Sequence, residues 1–405
     1  MTRAESRVVI VGGGLAGTRT AEGLRDAGHR GPITVVAAER HLPYDRPGLS
    51  KDVLAGRHAP ERLRFRSADE WAAIGVDLML GCPAVATDIR GRTVVLTDGT
   101  TLPFGDLVIA SGAAPRRLPG TATVAGVHTL RTVDDVLAVR AALARPSPVV
   151  VIGAGVLGCE VAATLGTAGH DVTVVETEAG PLWAALGGAR GRTASDRVGT
   201  WHTRHGVRLL LKRRVAGLQT EAGRVSGVAL TDGARLPAAV VVVAIGAAPV
   251  TGWLDGSGVP LADGVVGDQH CSVKGTEGVW AVGDVARFDH GGRSERDEHW
   301  TGAVDMARIV ATNILAQPGD RVPYVPSGYV WTDQYGLKLQ IVGRPCRADR
   351  SHPISADDDT GKFLVLYSAH GRLVGAAGAG HARAVVGARA AISAGVPIDE
   401  YLVGV

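Results

Sequence analysis

VVIVGGGLAGTRTAEGLRDAGH, residues 8–29, decides the fold because it occurs twice. The second copy is VVVIGAGVLGCEVAATLGTAGH, residues 149–170. Gly12 and His29 stand 17 residues apart, and so do Gly153 and His170. Each copy is followed by an apolar strand that ends in an acid, ITVVAAE to Glu39 and VTVVETE with Glu176. Four consecutive aliphatic residues predict a parallel strand buried on both faces. The GxGxxG that follows predicts a tight turn into a helix, which ends where Gly28 or Gly169 can take the left-handed conformation. The three glycines do different work: the first allows the turn, the second lets backbone approach a pyrophosphate, and the third lets helix pack on strand. The pyrophosphate rests on the N–H groups of the helix start. The acids lie 22 residues past Gly17 and 18 past Gly158, where a carboxylate can accept from a ribose diol. A lone GxGxxG says little, but two complete strand–turn–helix–strand–acid units predict two dinucleotide sites.

The bulk properties agree with an enzyme of several domains. One core stops growing at about 250–300 residues, so 405 residues imply two or three domains. The formal charge of +3 excludes the strong basic field of a nucleic-acid binder. Cys82, Cys159, Cys271 and Cys346 form no close sequence pair, so neither a metal site nor a disulfide framework is expected, and a reducing cytoplasm fits. The first residues lack the pattern of a signal peptide. The longest apolar run, residues 237–250, is shorter than the ~20 residues of a membrane span and contains Gly246 and Pro249. The expectation is a cytoplasmic protein with no membrane partner.

The two units differ in what they should hold. Glu176 at the end of the second strand repels a 2′-phosphate, and Thr177 and Glu178 supply no base beside it. That unit should prefer NADH over NADPH. The first unit should hold its cofactor permanently, because residues 104–116 (FGDLVIASGAAPR) and 278–288 (GVWAVGDVARF) can close over it. Asp284 has two readings here, a bond to a flavin ribityl hydroxyl or a plain helix N-cap.

The motifs then carry a resemblance. PYDRPGLSK (43–51), LVIASGAAPR (107–116), TLRTVDD (129–135), VVVVAIGAAP (240–249), AVGDVA (281–286), DEHWTGAVDMA (297–307) and WTDQYGLKLQIVG (331–343) follow the first GxGxxG in order. In this the chain resembles the FAD-dependent NAD(H)–ferredoxin reductases coupled to oxygenases, the putidaredoxin-reductase-like group of the glutathione-reductase-like two-dinucleotide flavoproteins. The resemblance implies that Gly12, Gly14, Leu15, Ala16 and Gly17 surround the FAD pyrophosphate, that Glu39 holds the adenosine ribose with Arg40 beside it, and that Arg46 and Arg131 meet the phosphates. It implies further FAD contacts from Val85, Ala110, Ser111, Gly112, Gly283 and Ala303, with Asp284 on the ribityl chain. It places Lys51 near flavin N5, paired with Glu160, and makes His299 and Trp300 the start of a helix aimed at the flavin pyrimidine. Trp331 would lie near the flavin where electrons leave, so Lys51, Glu160 and Trp331 form the implied catalytic set. Gly153, Gly155, Val156, Leu157, Gly158, Glu176, Ile245 and Gly246 would hold NADH.

Read without the resemblance, Lys51 could be a solvated helix residue, His299 a structural histidine, and Trp300 and Trp331 core aromatics. Arg62, Arg64 and Arg66 alternate as an exposed strand face would, or form a docking stripe for an acidic ferredoxin. Residues 43–52 hold no cysteine, which sets the chain apart from disulfide reductases of the same superfold. Three places depart from the family pattern: Gly48 replaces a proline, GPLWAALGG (180–188) lacks the arginine that usually follows Pro-Leu, and Gly336 replaces the acid that usually follows the Asp-Gln-Tyr.

The expected fold class is α/β, with two Rossmann-like domains and a C-terminal α+β domain. The expected domains are FAD-binding (1–112 and 249–319), NAD-binding (113–248) and C-terminal interface (320–405), with 318–326 as linker. The expected activity is electron transfer from NADH through FAD to a small [2Fe–2S] ferredoxin that serves a P450 or Rieske oxygenase. Two alternatives stay open: a flavoenzyme acting directly on a small molecule, and an NADH-binding flavoprotein with a sensing or scaffold role.

Overall fold

Both copies of the repeated unit form the centre of a parallel sheet. In the computed structural model, which describes residues 3–404, Val8–Val11 pairs in parallel with Ile33–Ala37 on one side and Asp106–Ile109 on the other. Val76–Leu80 and Val279–Ala281 extend this sheet at its two edges, also in parallel. All four residues of Val8–Val11 are buried, as a strand covered on both faces requires. Each such Val or Ile contributes about 1.5–3 kcal/mol on burial, so the aliphatic run stabilises the place from which the glycine turn departs.

The second copy repeats the plan. Pro148–Ile152 lies between Asp171–Val175 and Val240–Val243, all parallel, with Arg208–Leu210 and Val127–His128 outside them. In each copy the strand of the GxGxxG unit is central and the strand ending in the acid is its neighbour. Two parallel sheets of this kind are the two Rossmann-like layers expected from the repeat.

A third five-stranded sheet is antiparallel, in the order Val330–Gln334, Leu337–Gly343, Arg372–Ala379, Phe363–Ala369, Arg350–Ala356. The helix Ala382–Ser393 packs on it through Val385 and Ala388. This is the α+β portion of the chain.

The chain divides into two compact units. The first comprises Met1–Asp45, Glu61–Ala114 and Ala247–Pro326. The second comprises Arg46–Pro60, Pro115–Gly246 and Ser327–Val405. The second unit thus contains Arg46–Pro60, a piece that reading along the chain assigns to the first. Within that unit Ser50 and Lys51 bind Glu160, Thr164 Oγ1 donates to the Ser50 carbonyl over 2.8 Å, and Leu49, Val53 and Leu54 are buried.

Residues 318–326 are held more firmly than a linker would be. Tyr324 is 1% exposed and its hydroxyl donates to Asp297 Oδ2 over 2.8 Å. Asn313 donates to the Val322 carbonyl and accepts its N–H. Among the described residues, no helix is long and apolar enough to cross a membrane.

Candidate active site

In the first unit, the glycine turn is closed by sterics. Gly12 has φ +131°, and a Cβ there would lie 2.0 Å from the Ala110 carbonyl oxygen. At Gly17 a Cβ would lie 2.0 Å from the Gly12 carbonyl oxygen. The helix Leu15–Asp26 starts at Gly14 with no side-chain cap and no acid in its first turn. Its N-terminal dipole and amides therefore suit an anion. The residues fit the pyrophosphate of a dinucleotide.

Other expected FAD residues gather at the same end of the sheet. Gly283 has φ +74°, and a Cβ on it would come 2.7 Å from the Ala16 side chain, so Asp284 is delivered beside the glycine turn. After Asp284 the chain enters the strand Ala286–His290, not a helix. The N-cap reading of Asp284 therefore drops out. Ala303 is buried, 3.8 Å from the position of that same Cβ. Glu39 lies two residues beyond the strand Ile33–Ala37 and accepts the Tyr44 hydroxyl through Oε2 at 2.5 Å, while Arg40 packs over Gly81. Ala110 donates its N–H to Val11, Ser111 Oγ donates to the Val250 carbonyl, and Gly112 has φ +68°.

His299 precedes the helix Trp300–Leu315 without capping it through its side chain, and its carbonyl accepts the Ala303 N–H. Trp300 Nε1 donates to Asp45 Oδ1 over 2.8 Å, so this tryptophan is tethered and not a plain core aromatic. Val85 sits on the strand Ala84–Asp88 with 47% exposure.

Arg62, Arg64 and Arg66 do not form a strand face. Pro60–Leu63 is a single 3-10 turn, Arg64 makes one isolated bridge to Tyr44, and Arg66 pairs with Glu22 at 2.7 Å while lying over the Trp71 ring. Period two appears in the sequence, but Pro60 and the turn deny it a strand to act on.

In the second unit, Gly153 has φ +101° and would place a Cβ 2.3 Å from the Ala244 carbonyl oxygen. A Cβ on Gly158 would meet the Gly153 carbonyl oxygen at 2.0 Å. Gly155 is different: a Cβ there would meet nothing within 4 Å. The first and third glycines are needed by the protein itself, whereas the middle one leaves open space over the start of the helix Val156–Thr167, where Val156 and Leu157 form the first turn. That open cradle fits a pyrophosphate. Glu176 Oε2 accepts the Ala154 N–H at 2.6 Å, and Oε1 accepts from Glu178 N–H and the Thr177 hydroxyl. The acid thus braces the glycine turn. Gly246 takes φ +95°, beside a 38% exposed Ile245.

The loop that lacks the usual arginine is folded against this turn. Leu182, at φ +55°, donates its N–H to the Ala154 carbonyl over 2.8 Å and is buried. Ser195 Oγ donates to the Pro181 carbonyl. Gly48 has φ −72°, within the range a proline would impose, so its replacement leaves the 3-10 turn Arg46–Gly48 unchanged in shape.

The same unit contains a polar cluster around Glu160, which is 5% exposed. Lys51 Nζ lies 2.9 Å from Glu160 Oε1 and also donates to the Pro47 carbonyl. Its side chain is 18% exposed, and Lys51 breaks helical geometry at φ −115°, ψ −105°. The reading of Lys51 as a solvated helix residue therefore fails. Arg46 donates to the Arg131 carbonyl over 2.5 Å, which brings those two arginines together. Trp331 stacks on Tyr329, centroids 5.9 Å apart at 28°. Cys159 is buried, its thiol donating to the Ala154 carbonyl, and burial pushes its pKa up. It is inert packing, not a redox group. Sequence reasoning missed Ser50, Thr332, Gln334 and His202 around Glu160, and Tyr44 and Asp45 in the first unit. The DQY motif was visible, but nothing along the chain said which acid it served.

Comparison with known proteins matches residues 6–307 to the pyridine nucleotide-disulphide oxidoreductase family and residues 329–404 to the reductase C-terminal domain. A ferredoxin–NAD(P)+ reductase from a Sphingomonas species is 35% identical over 379 residues, covering 92% of this chain and 89% of that one. The ferredoxin–NAD+ reductase component of an anthranilate 1,2-dioxygenase system from Burkholderia cepacia is 35% identical, covering 96% and 95%. Among solved structures, the covalent putidaredoxin reductase–putidaredoxin complex superposes with a TM-score of 0.90 at 31% identity, over 98% of this chain and 95% of that one.

Proposed function

The chain belongs to the pyridine nucleotide-disulphide oxidoreductase family, and on that footing we propose that it passes electrons from NADH through FAD to a small [2Fe–2S] ferredoxin serving a P450 or Rieske oxygenase. The observation that carries this reading is the match over nearly the whole chain, C-terminal domain included, to reductases whose names state a ferredoxin or an oxygenase system. The disulfide chemistry of the wider family needs a redox cysteine pair. All four cysteines here are free, and residues 43–52 contain none. Free cysteines also suit the reducing cytoplasm, which is where we place the protein.

A bound FAD would supply the single-electron chemistry that nicotinamide, a hydride carrier, does not readily perform. The balance is NADH plus two oxidised ferredoxins giving NAD+, a proton and two reduced ferredoxins. The chain's own task is holding and tuning. The turn at Gly12, Gly14 and Gly17 would hold the FAD pyrophosphate, Glu39 its ribose and Asp284 its ribityl chain. The uncapped start of Trp300–Leu315 would stabilise negative charge gained on flavin reduction. The turn at Gly153, Gly155 and Gly158 would hold NADH, and the charge of Glu176 disfavours a 2′-phosphate. Lys51, paired with Glu160, would orient the groups between which hydride moves. Lys51→Ala is expected to keep its FAD and to slow flavin reduction by NADH by about tenfold or more; unchanged reduction kinetics would remove Lys51 from the site.

The reading is tested by steady-state cytochrome c reduction with NADH and a purified [2Fe–2S] ferredoxin. The expected rate saturates with ferredoxin and is small without it. A rate independent of ferredoxin would point to direct action on another acceptor.

A further inference from the structure

A buried carboxylate is tolerated only when its oxygens are answered by donors. At Glu160 three side chains answer. Lys51 Nζ and Thr332 Oγ1 lie at Oε1, each at 2.9 Å, and Ser50 Oγ donates to Oε2 over 2.5 Å. The Thr332 hydroxyl is itself held from behind. Gln334 Nε2 donates to Thr332 Oγ1 over 3.1 Å. Gln334 Oε1 and His202 Nε2 are buried without a hydrogen-bond partner among the described residues. On the far side of the ring, His202 Nδ1 lies 2.8 Å from the Tyr335 hydroxyl.

The direction of these bonds follows from protonation. His202 is 0% exposed, and burial pushes its pKa down to about 4, so the ring is neutral at ordinary pH. Burial also raises the pKa of the Tyr335 phenol, which keeps its proton. Tyr335 then donates to Nδ1, which leaves the proton of the neutral ring on Nε2. Gln334 donates to Thr332 and Thr332 donates to Glu160. These two bonds both run toward the carboxylate, an arrangement in which one bond polarises the next. Strand alternation makes it possible: Thr332 and Gln334, both 1% exposed, share one face of Val330–Gln334, while Trp331 and Asp333 take the other.

We propose that Thr332 and Gln334 are positioning residues, which fix the orientation of Glu160 beside Lys51 so that the pair is ready for hydride transfer. The proposal rests on the functional reading above for the role of Lys51, and on the bond network alone for the rest. A strand of the C-terminal domain thereby becomes part of the reductase chemistry, not only an interface.

The test is anaerobic stopped-flow reduction by NADH of FAD-loaded Thr332→Val, Thr332→Ser and Gln334→Met. Valine keeps the shape and strand preference of threonine and deletes only the hydroxyl. The limiting rate is expected to fall about tenfold in Thr332→Val, with half-saturation by NADH shifted less than about twofold. Thr332→Ser should restore the rate to within about threefold of wild type, and Gln334→Met should lower it about threefold. Wild-type reduction rates in Thr332→Val, or equal impairment in the Val and Ser variants, would overturn the proposal and leave the functional reading standing. A wild-type protein that NADH does not bleach would instead overturn the functional reading itself. Should Thr332→Val fail to fold, Gln334→Met carries the same test, and an unchanged limiting rate there overturns the proposal.

Discussion

Gly12→Ala is expected to yield protein that retains little or no flavin and unfolds at a lower temperature than wild type. The methyl group meets two obstacles at once. The backbone at φ +131° is a region that L side chains rarely enter, costing about 1–3 kcal/mol. The new Cβ would also lie 2.0 Å from the Ala110 carbonyl oxygen, and backbone of a central strand connection cannot step aside as a side chain can. Overpacking of this kind adds about 1–3 kcal/mol, a large share of the about 5–15 kcal/mol that holds a domain folded. Any relaxation moves the turn that receives the pyrophosphate. The ratio of flavin to protein absorbance after purification, with a thermal unfolding curve, reads both effects. Full flavin content with wild-type unfolding would show that the first turn is neither strained nor part of a cofactor site.

Gly155→Ala is expected to behave in the opposite way, leaving fold and flavin intact while weakening NADH. Gly155 has φ −69° and ψ −174°, which alanine adopts without strain, and its Cβ would touch nothing within 4 Å. Nothing in the protein itself asks for glycine there. A pyrophosphate drawn onto the helix start does ask for it, because the methyl would occupy the space the phosphates approach through. The KM for NADH should rise about tenfold or more, equivalent to about 1.4 kcal/mol of lost binding, with flavin content unchanged. An unchanged KM would mean that NADH does not use the second glycine turn.

How much of this could be read from the sequence depends on how local each feature is. The two GxGxxG turns were legible because strand, turn, helix and acid lie within one short stretch, and the sterics at Gly12, Gly17, Gly153 and Gly158 explain why glycine is required there. The surroundings of Glu160 were not legible. Ser50 stands 110 residues away from it and Thr332 stands 172 away, and only the folded chain brings them together. Arg62, Arg64 and Arg66 show the converse error: alternation in sequence is evidence for a strand only where backbone can pair, and here a 3-10 turn precedes a single bridge. Asp284 shows a third case. An acid after a strand-end glycine suits an N-cap and a ligand equally well, and the strand Ala286–His290 that follows removes the first option. The loop 180–188 was marked by the arginine it lacks, yet its physical content is the Leu182 contact to Ala154, which composition does not announce.

The central claim is that this chain converts hydride transfer from NADH into single-electron delivery to a ferredoxin, and a single-turnover electron count tests it most directly. The FAD-loaded protein is mixed anaerobically with one equivalent of NADH, flavin bleaching is followed, and oxidised [2Fe–2S] ferredoxin is then added in excess. Fast bleaching is expected, followed by return of the flavin colour, with two ferredoxins reduced for each NADH consumed. Flavin that NADH does not bleach, or bleached flavin that stays reduced in the presence of oxidised ferredoxins, would contradict it.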